Sequence, residues 1–276
     1  MPLPPVELRP QSVLLTFFGD FVTGEHEGVS ASDVVELLEG AGIGASATRA
    51  TVNRMVKRGL LRRVAIGRQA WFGLTPFGRR TVLDGRERAQ AAEAHDAAWD
   101  GRWTLVSFSL PESAQRERHE LRARLTWAGF GMVQAGLWAA PRRVDVDEVL
   151  EELARHPGLN AFRAETLAPT DGRRLVQSAY DVDALASRHT AFVDRWSPVV
   201  GADAVVSDPL LARVVLSTDW LMLLRDDPRL PLEFLPHPWP GQEARRLHHA
   251  LEGRLRAPAA REARRRLAIR ELPAPR

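Results

Sequence analysis

The stretch Ser46–Leu74, SATRATVNRMVKRGLLRRVAIGRQAWFGL, decides how the rest of the chain is read. No acidic residue occurs between Glu39 and Asp84, yet that interval carries eight Arg and one Lys. So long a one-signed window, in a chain of otherwise mixed charge, points to a polyanionic partner. Ser46 suits a helix N-cap, and Thr48, Val52, Met55, Val56 and Gly59 then fall on one helical face. Ala47, Ala50, Thr51, Arg54, Lys57 and Arg58 fall outward. Gly59 ends the helix, and Leu60–Val64 and Ala70–Leu74 read as two strands joined by Ile66-Gly67-Arg68-Gln69. A helix with small and basic residues outward, then a basic-tipped hairpin, is the pattern of a recognition helix and wing. Small Ala and Thr let a helix approach base edges, while Arg and Lys reach phosphates and guanine. The competing reading is a solvated basic face, but such faces usually mix signs.

Length and composition bound the rest. A chain of 276 residues suits two or three domains, and 45% hydrophobic with 26% charged residues is ordinary globular material. The net charge is only +3, so local distribution is the informative quantity. Absent cysteine removes disulfides, thiol catalysis and thiolate metal sites, and agrees with a reducing interior. No apolar run approaches the roughly 20 residues of a membrane span. The opening MPLPPVELRP does not have the pattern of a signal peptide. The expectation is a cytoplasmic protein without membrane association.

Around the central stretch, Ser12–Val22 gives a first amphipathic helix, with Val13, Leu14, Phe17, Phe18 and Phe21 on one stripe. Ser30 with Asp33 opens a second helix that Gly40 and Gly42 stop. Three helices and a hairpin before residue 75 make a winged helix-turn-helix. Thr75-Pro76 begins a connecting helix reaching about Ala98 and leaving that head. Trp103–Leu110 is apolar on both faces, as in a central strand. A helix from Pro111 to about Ala128, two short strands in Met132–Ala140, a helix Val144–Arg155 and a strand Ala161–Leu167 complete β-α-β-β-α-β, a ferredoxin-like order. Beyond Asp171 the reading is helical: Arg173–Trp196, Asp208–Leu224 and Gln242–Arg256, with a five-proline segment DDPRLPLEFLPHPWPG before the last. Arg261–Arg276 reads as a frayed helix and tail. The expected class is α+β, in three domains at 1–98, 99–170 and 171–276, the last all-helical.

Six stretches in order carry a resemblance: SVLLTFFGDFV, TRATVNRMVKRGLLRR…WFGLTPFG, WDGRWTLVSFSLPE, GFGMVQAGLW, AYDVDALASRHTAFVDRW and DDPRLPLEFLPHPWPGQEARRL. Together they make the chain resemble the PaaX family of bacterial transcriptional repressors over nearly its whole length. The resemblance implies a repressor of an aromatic-acid degradation operon, released from operator DNA by an acyl-CoA effector such as phenylacetyl-CoA. It puts the recognition helix on Ser46–Arg58, with Arg49 and Arg54 in the family's usual arginine positions. Two motifs depart from the family's pattern: F-D-I-P is here Phe108-Ser109-Leu110-Pro111, and a Trp-Asp pair is Tyr180-Asp181. The family's middle domain is similar to a small nuclease fold in which an Asp at the end of the first strand binds metal. Ser109, at or beside that place, cannot supply a carboxylate.

Other constellations carry less. His237, His248, His249, His119-Glu120 and His95-Asp96 lack metal-ligand spacing, and Glu151-Glu152 and Asp145-Asp147-Glu148 read as solvent-facing helix positions. Gly129-x-Gly131 is a turn, not a dinucleotide fingerprint. Most of the eight tryptophans read as core or interface anchors, Trp239 alternatively as a wall of a ligand cleft. The resulting expectation is a homodimeric, ligand-responsive DNA-binding protein with no cofactor, no metal and no catalytic residue. Arg58, Arg62, Arg63 and Arg68 would contact phosphates of double-stranded DNA; Arg49, Thr51, Asn53 and Arg54 would read bases, Asn53 from the helix flank. Arg68 and Gln69 would lie at the wing tip. The alternatives are a metal-dependent nuclease or CoA-ester hydrolase built on the later domains, and an architectural DNA binder without effector.

Overall fold

A computed structural model describes residues 3–93, 99–111, 114–151, 158–200 and 206–273. The expected ends of the connecting helix (94–98, with His95-Asp96), residues 112–113, the second half of the helix at 144–155 with Glu152, and 274–276 lie outside these. The class is α+β: ten helices and two four-stranded antiparallel sheets among the described residues. Contacts group the chain into two units, Met1–Gln90 with Ala191–Met222 and Gln242–Arg276, and Ala91–Thr190 with Leu223–Gly241. Parts of the C-terminal third thus belong to each unit.

The first unit begins α1 (Pro10–Phe21), β1 (Glu27–Ser30), α2 (Ala31–Gly40), α3 (Ala45–Lys57), β2 (Leu61–Ile66), β3 (Gln69–Leu74), α4 (Pro76–Glu93). Ser30 caps α2, its hydroxyl accepting from the Asp33 amide at 3.1 Å, as its spacing predicts. β1 was not expected; it pairs with β3, Val29 opposite Phe72, and completes a sheet under the helices. Val13, Leu14, Phe17 and Phe18 of α1, Leu37 and Leu38 of α2, Met55 of α3 and Leu61 of β2 are fully or almost fully buried there. α4 does not leave this head at once. Arg79 donates to the Thr23 and Glu25 carbonyls at 2.9 and 2.7 Å, and Arg86 pairs with Asp20 at 2.6 Å.

The end of the chain corrects the all-helical expectation. α10 (Pro240–Arg266) runs ten residues beyond Arg256, and β8 (Ile269–Glu271) then adds a strand to β1, giving the order β2-β3-β1-β8. The Leu272 amide donates to the His26 carbonyl at 2.7 Å and the Ala268 amide to Asp33 at 2.9 Å. The tail is held because β1 would otherwise expose a row of unpaired backbone groups.

The second unit is built on β4 (Trp103–Phe108), α5 (Gln115–Trp127), β5 (Gly131–Gln134), β6 (Leu137–Ala140), α6 (Val146–Leu150) and β7 (Leu159–Ala164). Its sheet order β5-β6-β4-β7 puts β4 in the interior, and β4 is apolar on both faces for that reason. Val106, Phe108 and Trp138 pack with Leu121 and Leu125 of α5 on one face. Trp103 and Ala139 pack with Val176, Phe234, Leu235 and Trp239 on the other, so Trp239 is core.

The single helix expected over Arg173–Trp196 is two, α7 (Gly172–Ala179) and α8 (Val182–Val200). Tyr180 between them is extended, and its hydroxyl lies 2.7 Å from the Ala139 carbonyl and 3.0 Å from that of Gly129. Asp181 then caps α8 by accepting from the Ala184 amide at 2.9 Å. A buried phenol satisfied by two backbone carbonyls outweighs two residues of helix continuity. α9 (Pro209–Arg225) starts on an Asp208 cap.

Candidate nucleic-acid interface

α3 starts at Ala45 with Gly44 as N-cap, so Ser46 stands exposed in the first turn rather than capping. The helix buries Thr48, Thr51, Val52 and Met55, at positions i, i+3, i+4 and i+7 of one stripe. Thr51, expected outward as a base reader, is only 2% exposed and does not face solvent. Its hydroxyl accepts from Arg54 Nη2 at 2.8 Å, which satisfies the Thr51 oxygen and holds one end of an exposed guanidinium. The exposed residues are Ser46, Ala47, Arg49, Ala50, Asn53, Arg54, Lys57 and Arg58. Asn53, expected on the flank, lies along the middle of that face. The inward stripe keeps Thr48, Val52 and Met55 of the sequence reading and differs at its edge, where Thr51 takes the place of Val56, which is half-buried.

The end of α3 aims the hairpin. Gly59 has φ +70, its amide donates to Val56 at 3.0 Å, and the Leu60 amide donates to Met55 at 2.9 Å. This left-handed stop turns the chain directly into β2. β2 and β3 pair from Leu61↔Leu74 to Ile66↔Gln69, so only Gly67 and Arg68 form the tip. Gly67 has φ +60, the conformation that a two-residue hairpin loop asks of its first position. Arg63, Arg68 and Gln69 are exposed.

The expected phosphate contacts divide. Arg62 is half-buried and donates to the Pro273 carbonyl and, at 3.3 Å, to that of His26, so it ties the C-terminal segment to the sheet. Arg58 reaches Gln11 at 3.4 Å, a long contact that leaves it exposed beside α1. Arg270 lies over the Trp71 ring at 5.1 Å, a further cation bound into this sheet.

Elsewhere two buried histidines pack inside the fold. His248 stacks on Trp220 with centroids 4.5 Å apart, and burial, then the neighbouring His249, push its pKa down to about 3. His189 is 3% exposed and lies 3.1 Å from Asp227. Ser109 follows β4 and donates its amide to Gly158 at 2.9 Å. Among the described residues no three His, Asp or Glu side chains gather as metal ligands. No helix among them is long and apolar enough to cross a membrane. Trp127, expected as an anchor, is half exposed.

Three family models match in succession: "PaaX-like protein" over 9–78, "PaaX protein central Cas2-like domain" over 96–176 and "PaaX-like protein C-terminal domain" over 180–265. The chain belongs to the PaaX family. It is 28% identical over 261 residues to the transcriptional repressor PaaX of Escherichia coli K12, covering 90% of this chain and 81% of that one. Its fold is also that of the uncharacterized protein Rv0674 from Mycobacterium tuberculosis, with a TM-score of 0.63 at 24% identity, over 94% of this chain and all of the other. The middle domain is therefore Cas2-like.

Proposed function

We propose that this protein is a DNA-binding transcriptional repressor of the PaaX family, with residues 9–78 as a winged helix-turn-helix head. One observation carries the reading: a helix face of Ser46, Arg49, Ala50, Asn53, Arg54 and Lys57 without a carboxylate, beside a hairpin with Arg68 at its tip and Gln69 next to it. Arg49, Asn53 and Arg54 would read base edges in the major groove, and Lys57, Arg58 and Arg63 would hold the backbone. Arg68 and Gln69 would follow the minor groove. Thr51 acts through Arg54, and Arg62 braces the sheet. In this reading the chain keeps three modules at 1–98, 99–170 and 171–276.

The repressor name of the Escherichia coli relative supports the regulatory role. An acyl-CoA such as phenylacetyl-CoA is the effector of this reading, and a homodimer in the cytoplasm its working form. The nuclease alternative would need a carboxylate at or beside Ser109, which cannot supply one.

The test is selection of bound duplexes from a random library, followed by anisotropy titrations of the selected duplex against a scrambled one at two salt concentrations. Equal affinity for both duplexes refutes sequence-specific binding. Addition of phenylacetyl-CoA, with free CoA and phenylacetate as controls, should then release the selected duplex; unchanged binding removes that effector.

A further inference from the structure

The second unit carries a charge arrangement that the repressor reading leaves unused. α5 has the sequence QRERHELRARLTW and separates its charges across its width. Leu121 and Leu125 face the core. On one flank Arg124 gathers the carboxylates: Nη2 meets Glu120 at 2.8 Å and Nη1 meets Glu151 at 2.9 Å. The hydrogen bond with Glu151, then that with Glu120, raises the pKa of Arg124. The other flank has Gln115, Arg118, His119 and Arg122, spaced three and four residues apart and hence on one face. With Arg116 these line a groove of about 570 Å3, and none of those lining residues is acidic. Arg118 is anchored by donating to the Leu110 and Pro111 carbonyls at 2.8 and 3.0 Å, so one wall is pre-set.

A volume of that size suits a small molecule, and small-molecule sites usually have apolar walls with a few polar groups. This one has guanidiniums and an imidazole. Guanidinium forks match phosphate oxygens in pairs, and several converging on one short span match adjacent phosphates. From Gln115 to Arg122 the helix rises only about 10 Å, room for two or three linked phosphates but short for tracking a duplex backbone. We propose that the α5 groove binds the phosphates of a nucleotide-type small molecule carrying a pyrophosphate. Equating that ligand with the nucleotide half of the acyl-CoA effector rests on the proposed function; the phosphate chemistry does not.

The experiment is calorimetric titration of the full chain at low salt with inorganic pyrophosphate and, separately, with CoA. The variant is Arg116→Gln with Arg122→Gln; Arg118 is left intact because it holds two backbone carbonyls. The expected result is at least tenfold weaker binding of both probes, with an unchanged melting temperature without ligand. Equal affinities in wild type and variant overturn the groove, whatever becomes of the effector. If phenylacetyl-CoA fails to release DNA from wild type while pyrophosphate binding still depends on Arg116 and Arg122, the effector reading falls and the groove stands. If a DNA duplex displaces pyrophosphate from wild type, the groove is a nucleic-acid surface and the small-molecule assignment is overturned.

Discussion

Replacing Arg54 by Ala separates what that side chain does for the fold from what it does for recognition. Arg54 is exposed, and its one intramolecular hydrogen bond on display runs from Nη2 to Thr51 Oγ1 at 2.8 Å. Losing a neutral acceptor's partner costs about 1 kcal/mol, and the better helix propensity of Ala returns a few tenths. The fold should therefore lose at most about 1 kcal/mol. A guanidinium bidentate to guanine contributes about 1 to 3 kcal/mol of operator binding, roughly a five- to 150-fold rise in Kd. Thr51→Val is the companion variant: it keeps the buried shape, leaves the guanidinium in place and removes only the oxygen that steadies it. It should weaken binding by less than tenfold, between wild type and Arg54→Ala. Anisotropy titrations against the selected duplex and one with its contacted guanine replaced give both affinity and discrimination, with thermal melts as the fold control. Should Arg54→Ala keep wild-type affinity and discrimination, Arg54 does not read bases. Should Thr51→Val match wild type while Arg54→Ala fails, the pre-positioning argument is wrong.

Arg68→Ala at the hairpin tip should weaken specific and non-specific binding alike and lower the slope of log K against log salt by about one unit; loss confined to the selected duplex would instead make Arg68 a sequence reader. Arg62→Ala should do the opposite, lowering stability by about 1 to 3 kcal/mol through the orphaned Pro273 and His26 carbonyls while the salt slope stays put, and a slope change with an unaltered melt would restore it as a phosphate contact. His248 has a folded pKa of about 3 against 6.5 when unfolded, so the unfolded chain binds the extra proton between these values and stability falls as pH drops below 6.5. Between pH 7.5 and 5 that group should cost about 2 kcal/mol in denaturant unfolding, and His248→Phe should remove that share of the pH dependence; equal slopes in both proteins would contradict it.

Local chemistry made much of this protein legible in the sequence. The Ser30 cap, the Gly59 stop and the Gly67 tip depend on neighbours a few residues away, and each occurs as its residue type requires. The run of eight Arg and one Lys without a carboxylate located the candidate interface, because charge segregation along the chain survives folding when a helix and hairpin present it. The two-faced apolar pattern of Trp103–Leu110 likewise announced an interior strand.

What tertiary structure alone decided was which groups pair across long separations. Ile269–Glu271 has too few residues for a periodic signal, and it becomes a strand only because β1 offers an open edge. The helix break at Tyr180 needs the Gly129 and Ala139 carbonyls, supplied from about 40 to 50 residues away, to hold a buried hydroxyl. Arg62 and Arg68 look alike in sequence, both basic and both in the hairpin, yet only Arg62 meets the Pro273 carbonyl. Thr51 turned inward because the stripe facing α1 and α2 is set by packing, where a rotation of a few tens of degrees exchanges one flanking side chain for another. Sequence periodicity specifies that a helix has an inner face; only the partners packed against it determine where that face begins.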